Sequence, residues 1–456
     1  MARLTKKFFL FLSASVLLTP PGAWAQSYLD KVERAAALIR DNRIEEAERE
    51  LDRVLKTRPN EAVALNLLGA IRARQGKLDD AEALFARAIR LEPRMVGAHM
   101  NLAHLYLLKG APEKAAVSLK EALRLEPDNV EANYRFAWSL LSLGRYDECI
   151  SFVETTRRSI TPSAPLLAVL GDAHLKKEAF DKAEAGYLQA LKADAANADA
   201  LLGLAMVALA RKDDKTAALY LNSLRIDIAD SPDLLYKFAR IALDLRLTGG
   251  ALHALKRAIE LRPAEPSYHF LLGVARLGEK PDLDEAEGAF RRVLELRPDH
   301  AQAQLHLGYV LLKQKRHPEA REWLEKSIRS ETGGAFHYLG FYYLGLIAQD
   351  ENDDERAEDL FGKAIRLAPS FAHARIALGS AYLRMKNYPR ARQELEVGVK
   401  LNPDDSKAHY NLALLYSRLN EPQRAKEEMQ IVERLKNSGK PAAENDPLTP
   451  PAQRPH

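Results

Sequence analysis

The residues that could do chemistry in this chain are few and scattered. Cys149 is the single cysteine, so it could act as a thiolate nucleophile or lend one ligand to a metal, but no intrachain disulfide can form. A helical zinc site of the common kind needs His-Glu-x-x-His, which sets two imidazoles one turn apart with a carboxylate beside them. None of the twelve histidines stands in that pattern, and no Gly-x-Ser-x-Gly turn presents a serine. The stretch from Gly273 through Gly278 to Glu279 and Lys280 has the glycine spacing of a phosphate-binding loop. Glu279, however, stands where that loop needs lysine, and the segment ends a helix instead of joining a strand to one. No catalytic residue, metal ligand or cofactor site is therefore expected.

What these residues share is a period. Ala47, Ala81, Ala115, Cys149, Ala183, Ala217, Ala251, Ala286, Ala320, Ala357, Ala391 and Ala425 are all small, and nine of the eleven intervals between them are 34 residues. Four residues after each comes a larger apolar side chain, from Leu51 and Phe85 to Leu395 and Met429. Three- and four-residue steps mark helix faces, so the pair reads as a close helix approach with its seam filler. Within one repeat, Ala62 to Gln75 reads as a first helix ended by Gly76. Leu78 opens a second, with Asp79 and Asp80 placed to suit the helix dipole. Pro59, Pro93, Pro127, Pro263, Pro298, Pro369 and Pro403 then close the repeat, because proline cannot continue a helix. Cys149 and Gly273 thus fall in packing slots: an inert core thiol and a repeat glycine.

The Leu-Gly pairs 68–69, 170–171, 272–273, 307–308, 344–345 and 378–379, followed by the small residue, an apolar residue and proline, resemble the tetratricopeptide repeat family. The likeness covers twelve repeats from Gln26 to about Asn437. It departs in Cys149, in the frequently missing aromatic that opens the first helix, and in the repeats that end on Thr161, Ala195, Ala229 and Thr332 instead of proline. It implies an all-α, right-handed superhelical solenoid of antiparallel helix hairpins. Its concave groove would be lined by the first helices and would hold protein or peptide segments.

Carried over residue by residue from the Leu-Gly pair, the groove-facing positions are Asn66, Met100, His104, Tyr134, Trp138, Asp172, Met206, Tyr236, Arg240, Phe270, Leu305, Tyr309, Tyr342, Ile376 and Tyr410. Aromatic and sulfur side chains recur there, which suits a partly apolar segment. The same side chains could instead pack between neighbouring first helices. Phe336, His337, Tyr338, Phe341, Tyr342 and Tyr343 form a second aromatic-rich stretch beside a three-residue insertion at residues 331–334. Asn66 and Asn101 lie near the places of the family's carboxylate clamp, but its basic residues are missing from the matching positions.

The ends complete the reading. Arg3, Lys6 and Lys7, then an apolar run and Ala23-Trp24-Ala25, have the layout of a signal peptide cleaved before Gln26, so residues 1–25 are expected to direct export to a bacterial periplasm or beyond. Without those three cations the chain holds 64 basic and 63 acidic residues (67 less three, against 63), which gives no basic excess for nucleic acid. Residues 26–332 are expected to hold nine repeats and 333–437 three, with Gly333-Gly334 either a hinge or a lengthened loop. Residues 438–456, with five prolines, read as a disordered tail. The expected role is a non-catalytic binding scaffold in envelope assembly or transport, meeting the membrane only through partners or an uncleaved leader. A recruiting subunit for a separately encoded glycosyltransferase is the alternative.

Overall fold

The computed structural model describes residues 23–224, 230–278, 280–437 and 447–448. Among them the helices α1–α24 follow one another as twelve consecutive hairpins, and the chain divides into an N-terminal half ending at Asp230 and a C-terminal half beginning at Ser231. Each half is an all-α solenoid of six hairpins. The boundary drawn at 332/333 from the repeat count falls inside the C-terminal half. There Glu331–Phe336 forms a 3-10 turn that runs directly into α19 (His337–Asp350) and packs against the helices on either side.

The helix ends follow the sequence signals. Helix α3 spans Ala62–Arg74 and α4 spans Leu78–Leu91, with Asp79 and Asp80 in the first turn of α4. Among the described residues eleven hairpin turns each hold one residue in the left-handed region, and glycine supplies it at Gly76, Gly110 and Gly144. Asn42, Glu178, Lys212, Arg246, Lys315, Asn352, Lys386 and Asn420 take the same conformation without glycine's freedom.

The small-residue series is the back of the hairpin. Every member from Ala47 to Ala391 is fully buried, and so are its partners from Leu51 to Leu395. In the last hairpin Ala425 is half-buried and Met429 exposed, because no helix among the described residues follows α24 (Pro422–Asn437) to cover them. The repeat glycine lets the seam filler lie on the first helix itself. A Cβ on Gly69 would sit 2.7 Å from the Phe85 ring, and one on Gly273 2.6 Å from the Phe290 ring. Cys149 donates its S–H to the Ala137 carbonyl at 3.4 Å, and burial pushes the thiol up to about 12, so thiolate is scarce at neutral pH.

A second regularity joins consecutive hairpins. The carbonyl of the closing proline receives a side-chain hydrogen bond from the residue six places on: His99 to Pro93 at 2.9 Å, Asn133 to Pro127 at 2.9 Å, His269 to Pro263 at 2.8 Å and Gln304 to Pro298 at 2.8 Å. Arg375 and His409 do the same for Pro369 and Pro403. Leu65 cannot, and Arg87 donates to the Pro59 carbonyl instead, at 2.8 Å. Where Thr161, Ala195 and Ala229 replace the proline, the sixth residue is Leu167, Leu201 and Leu235.

The expected leader lies outside the described residues up to residue 22, and α1 (Ala23–Arg40) begins just before Gln26. Of the proline-rich tail, Pro447 and Leu448 are described, and Leu448 packs against the core of the C-terminal half. No helix among the described residues is long and apolar enough to cross a membrane.

Candidate groove of the first helices

In the N-terminal half the groove candidates come from α3, α5 (Val96–Leu108) and α7 (Val130–Ser142). Helix α5 is apolar nearly all round, and Val96 to Leu105 are buried without a break. Met100 therefore lies wholly in the core, against Leu119 and Ala132. Asn101, also fully buried, donates from Nδ2 to the Asn66 side-chain Oδ1 at 3.0 Å, which ties α5 to α3. His104 is buried next to Arg135, whose guanidinium donates to His104 Nδ1 at 2.5 Å and to Glu131 at 2.5 Å. Burial and the Arg135 charge hold His104 down to about 4, so it is a neutral acceptor and not a proton shuttle at pH 7.

One helix further on, the surface opens. Tyr134 is half-buried against the core that contains Cys149, while Trp138, one turn later, is 41% exposed. Asp172, half-buried, accepts the Tyr187 hydroxyl at 2.6 Å, and Met206 is also half-buried.

In the C-terminal half, Tyr236 is half-buried with its ring 5.4 Å from that of buried Tyr268, and Arg240 beyond it is exposed. Phe270 stacks on His300 at 5.2 Å and meets the edge of His306 at 5.1 Å. His306 is buried, donates from Nδ1 to the Gln302 carbonyl at 2.7 Å, and is pushed down to about 4 by that burial. Leu305, Tyr309, Tyr342 and Ile376 are core residues, whereas Tyr410 is 52% exposed. In the second aromatic stretch Tyr343 is wholly buried, Tyr338 packs edge-on against Phe371 at 5.0 Å, and Phe336 is at the surface.

Of the fifteen groove-facing positions, then, Trp138, Arg240 and Tyr410 are exposed, Tyr134, Asp172, Met206, Tyr236 and Phe270 half-buried, and Asn66, Met100, His104, Leu305, Tyr309, Tyr342 and Ile376 buried. The physical reason for the burial lies in the next repeat. The residue two before the repeat glycine touches the groove positions of the preceding first helix: Asn101 on Asn66, Arg135 on His104, His306 on Phe270 and Tyr343 on Tyr309. That place does not decide every case: Leu271 holds it after Arg240, which stays exposed, and Tyr342 meets Phe371 and His373 instead. After Trp138 that place is held by Val169. Arg135 and His300 belong to these contacts and were missed in the sequence, because no motif marks them.

The exposed first-helix positions are Trp138 in the N-terminal half and Arg240 and Tyr410 in the C-terminal half. Among the described residues no group of three or more His, Cys, Asp or Glu side chains could hold a metal ion.

Sequence profiles described as tetratricopeptide repeats match residues 32–96, 72–120, 169–232, 236–292 and 280–335, then 107–170 and 348–415, then 406–436. Human protein O-mannosyl-transferase TMTC3 is 30% identical over 149 residues, which are 32% of this chain and 16% of that protein, so the chain spans a small part of its length. Among solved structures, Pseudomonas aeruginosa pilF is 20% identical with a TM-score of 0.41, covering 46% of this chain and 93% of its own. The Cut9–Hcn1 hetero-tetramer of APC/C gives 16% identity and 0.46 over 90% and 94%. A repeat protein from Parabacteroides merdae gives 19% and 0.48 over 55% and 99%.

Proposed function

The chain belongs to the tetratricopeptide repeat family, and from that premise we propose that it is a non-catalytic scaffold that grips an extended segment of a partner protein along its first helices. The observation that carries this reading is the pair Tyr134 and Trp138. An indole left 41% exposed one turn from a tyrosine, on a face that is otherwise packed, supplies large contact area at small entropy cost. Tyr236 with Arg240, and Tyr410, offer similar contacts in the C-terminal half. Neither His104 nor Cys149 is poised for proton or acyl transfer, which fits binding better than turnover.

In this proposal the basic and apolar start of the chain directs export to a bacterial envelope, where the scaffold serves assembly or transport machinery. A fusion of residues 1–25 to a reporter active only outside the cytoplasm tests the export step; no reporter signal rejects it. The partner step is tested by in-cell crosslinking followed by identification of what is captured, in the native chain and in Tyr134→Ala/Trp138→Ala. Capture should fall at least tenfold, about 1.4 kcal/mol of binding, while helicity is kept. Undiminished capture would show that this face is not the binding surface.

A second reading rests on the 149-residue stretch that is 30% identical to human protein O-mannosyl-transferase TMTC3. On that reading the scaffold recruits substrate to a separately encoded enzyme. Copurification of a glycosyltransferase whose activity drops without this chain would favour it over the assembly role.

A further inference from the structure

The N-terminal half contains a cavity of about 340 Å³ that none of the groove candidates lines. Its walls are the second helices α8 (Tyr146–Ser159) and α10 (Phe180–Ala193), and its floor is α9 (Ala164–Lys176). The cavity lies beside a break in the repeat. Many second helices end on a residue whose ψ is close to 80°, as at Arg58, Glu92 and Glu126, although α12 (Asp214–Asn222) and α18 (His317–Arg329) do not. Helix α8 instead ends on Ile160 at ψ 158°, and Thr161 stands where the closing proline is usual.

The lining is divided by character. Ile150, Leu170 and Gly186 form the apolar part of the lining, and Arg157, Lys182, His174 and Gln189 stand around it. Glu154 is the sole carboxylate there, and the Arg157 guanidinium already holds it at 3.0 Å. Among the described residues the Lys182 ammonium, the His174 ring and the Gln189 amide make no hydrogen bond or ion pair. Burial first, then the charges of Lys182 and Lys177, hold His174 below its ordinary value against the pull of Glu154, so its imidazole is neutral at pH 7. What remains is the exposed Lys182 ammonium, without a protein partner among the described residues, beside the exposed Gln189 amide and the His174 ring at the mouth of an apolar recess. Recesses that hold small molecules start at about 300 Å³ and combine an apolar lining with a few converging polar groups.

We propose that this cavity binds a small organic anion with an apolar body, a medium-chain carboxylate. Its carboxylate lies on Lys182 with Gln189 alongside, and its hydrocarbon rests on Ile150 and Leu170. The site is separate from the partner face, so each can fail without the other.

The test is calorimetric titration of octanoate into the full chain, with octanamide and acetate as the uncharged and the bodiless controls. Octanoate should bind saturably, and both controls at least tenfold more weakly. Lys182→Gln should weaken octanoate at least tenfold, and Lys192→Gln, on the same helix but outside the cavity, should leave it unchanged. Ile150→Glu should abolish binding while circular dichroism shows the helices intact, and Trp138→Ala should not matter. Absence of saturable octanoate binding, equal binding of octanamide or acetate, or indifference to Lys182→Gln would overturn the proposal. Loss on Trp138→Ala would move the ligand to the partner face and overturn it as well.

Discussion

Gly273 carries an aromatic ring directly on its backbone, so the cost of a side chain there can be stated. A methyl group would sit 2.6 Å from the Phe290 ring, and overpacking of this kind costs about 1–3 kcal/mol. Gly273→Ala should lower the melting temperature, and Gly273→Ala/Phe290→Leu should recover part of the loss; equal melting of the native chain and the single variant would refute the contact. His306 gives a second residue-scale prediction. Its folded value lies near 4 against an ordinary 6.5, so the unfolded chain takes up the proton first as pH falls. The stability it allows is complete above about pH 6.5 and is lost towards pH 4, with about 2 kcal/mol gone by pH 5. Melting compared at pH 7 and pH 5 should show a smaller acid-induced drop in His306→Leu than in the native chain.

At the scale of the helix and its turns, the left-handed residues are the weak joints. Lys212 holds φ +61° without being glycine. Lys212→Gly should stabilise the N-terminal half by about 0.5–1 kcal/mol, the relief of strain being partly offset by glycine's freedom in the unfolded chain. An unchanged or lower urea midpoint would count against this. The proline carbonyls give the opposite case. His269→Leu would leave the Pro263 carbonyl without its donor, at a cost of about 1–3 kcal/mol, and His269→Gln should restore most of it because Gln304 does the same work one hairpin later. These donors show what the sequence made legible and what it hid. The period, the helix limits at Ala62 and Leu78 and the buried slot of Cys149 follow from local spacing. Whether Trp138 stays open while Tyr309 closes depends on a residue in the next repeat, which no local pattern reports. The proline donors escaped notice because histidine, asparagine, glutamine and arginine fill one role with different side chains.

Across the whole molecule the two halves differ in how their cores connect. In the C-terminal half a buried cluster runs from Leu277 to Tyr416, with buried Leu235, Phe238, Leu255 and Tyr268 outside it. In the N-terminal half the described core is parcelled into separate clusters, one around Leu51 and Ile71, another around Phe85, others around Leu119, Val153 and Tyr187. Repeat proteins unfold as sums of local and nearest-neighbour terms, so the parcelled half should open first. Urea unfolding of two variants, one keeping Trp138 and the other Trp323 as sole reporter in its half, should give a lower midpoint for Trp138; coincident midpoints would contradict the division.

The contacts of Asn66, His104, Phe270 and Tyr309 with residues of the following repeat have a consequence for how such a chain changes over generations. Because the two residues belong to different copies of the 34-residue cassette, losing or gaining a cassette re-pairs them without altering a single codon on either side. Excision of residues 162–195 would set Gly203 where Val169 now stands and uncover more of the Trp138 indole. Copy number, in this architecture, is a way to rewrite what the surface recognises.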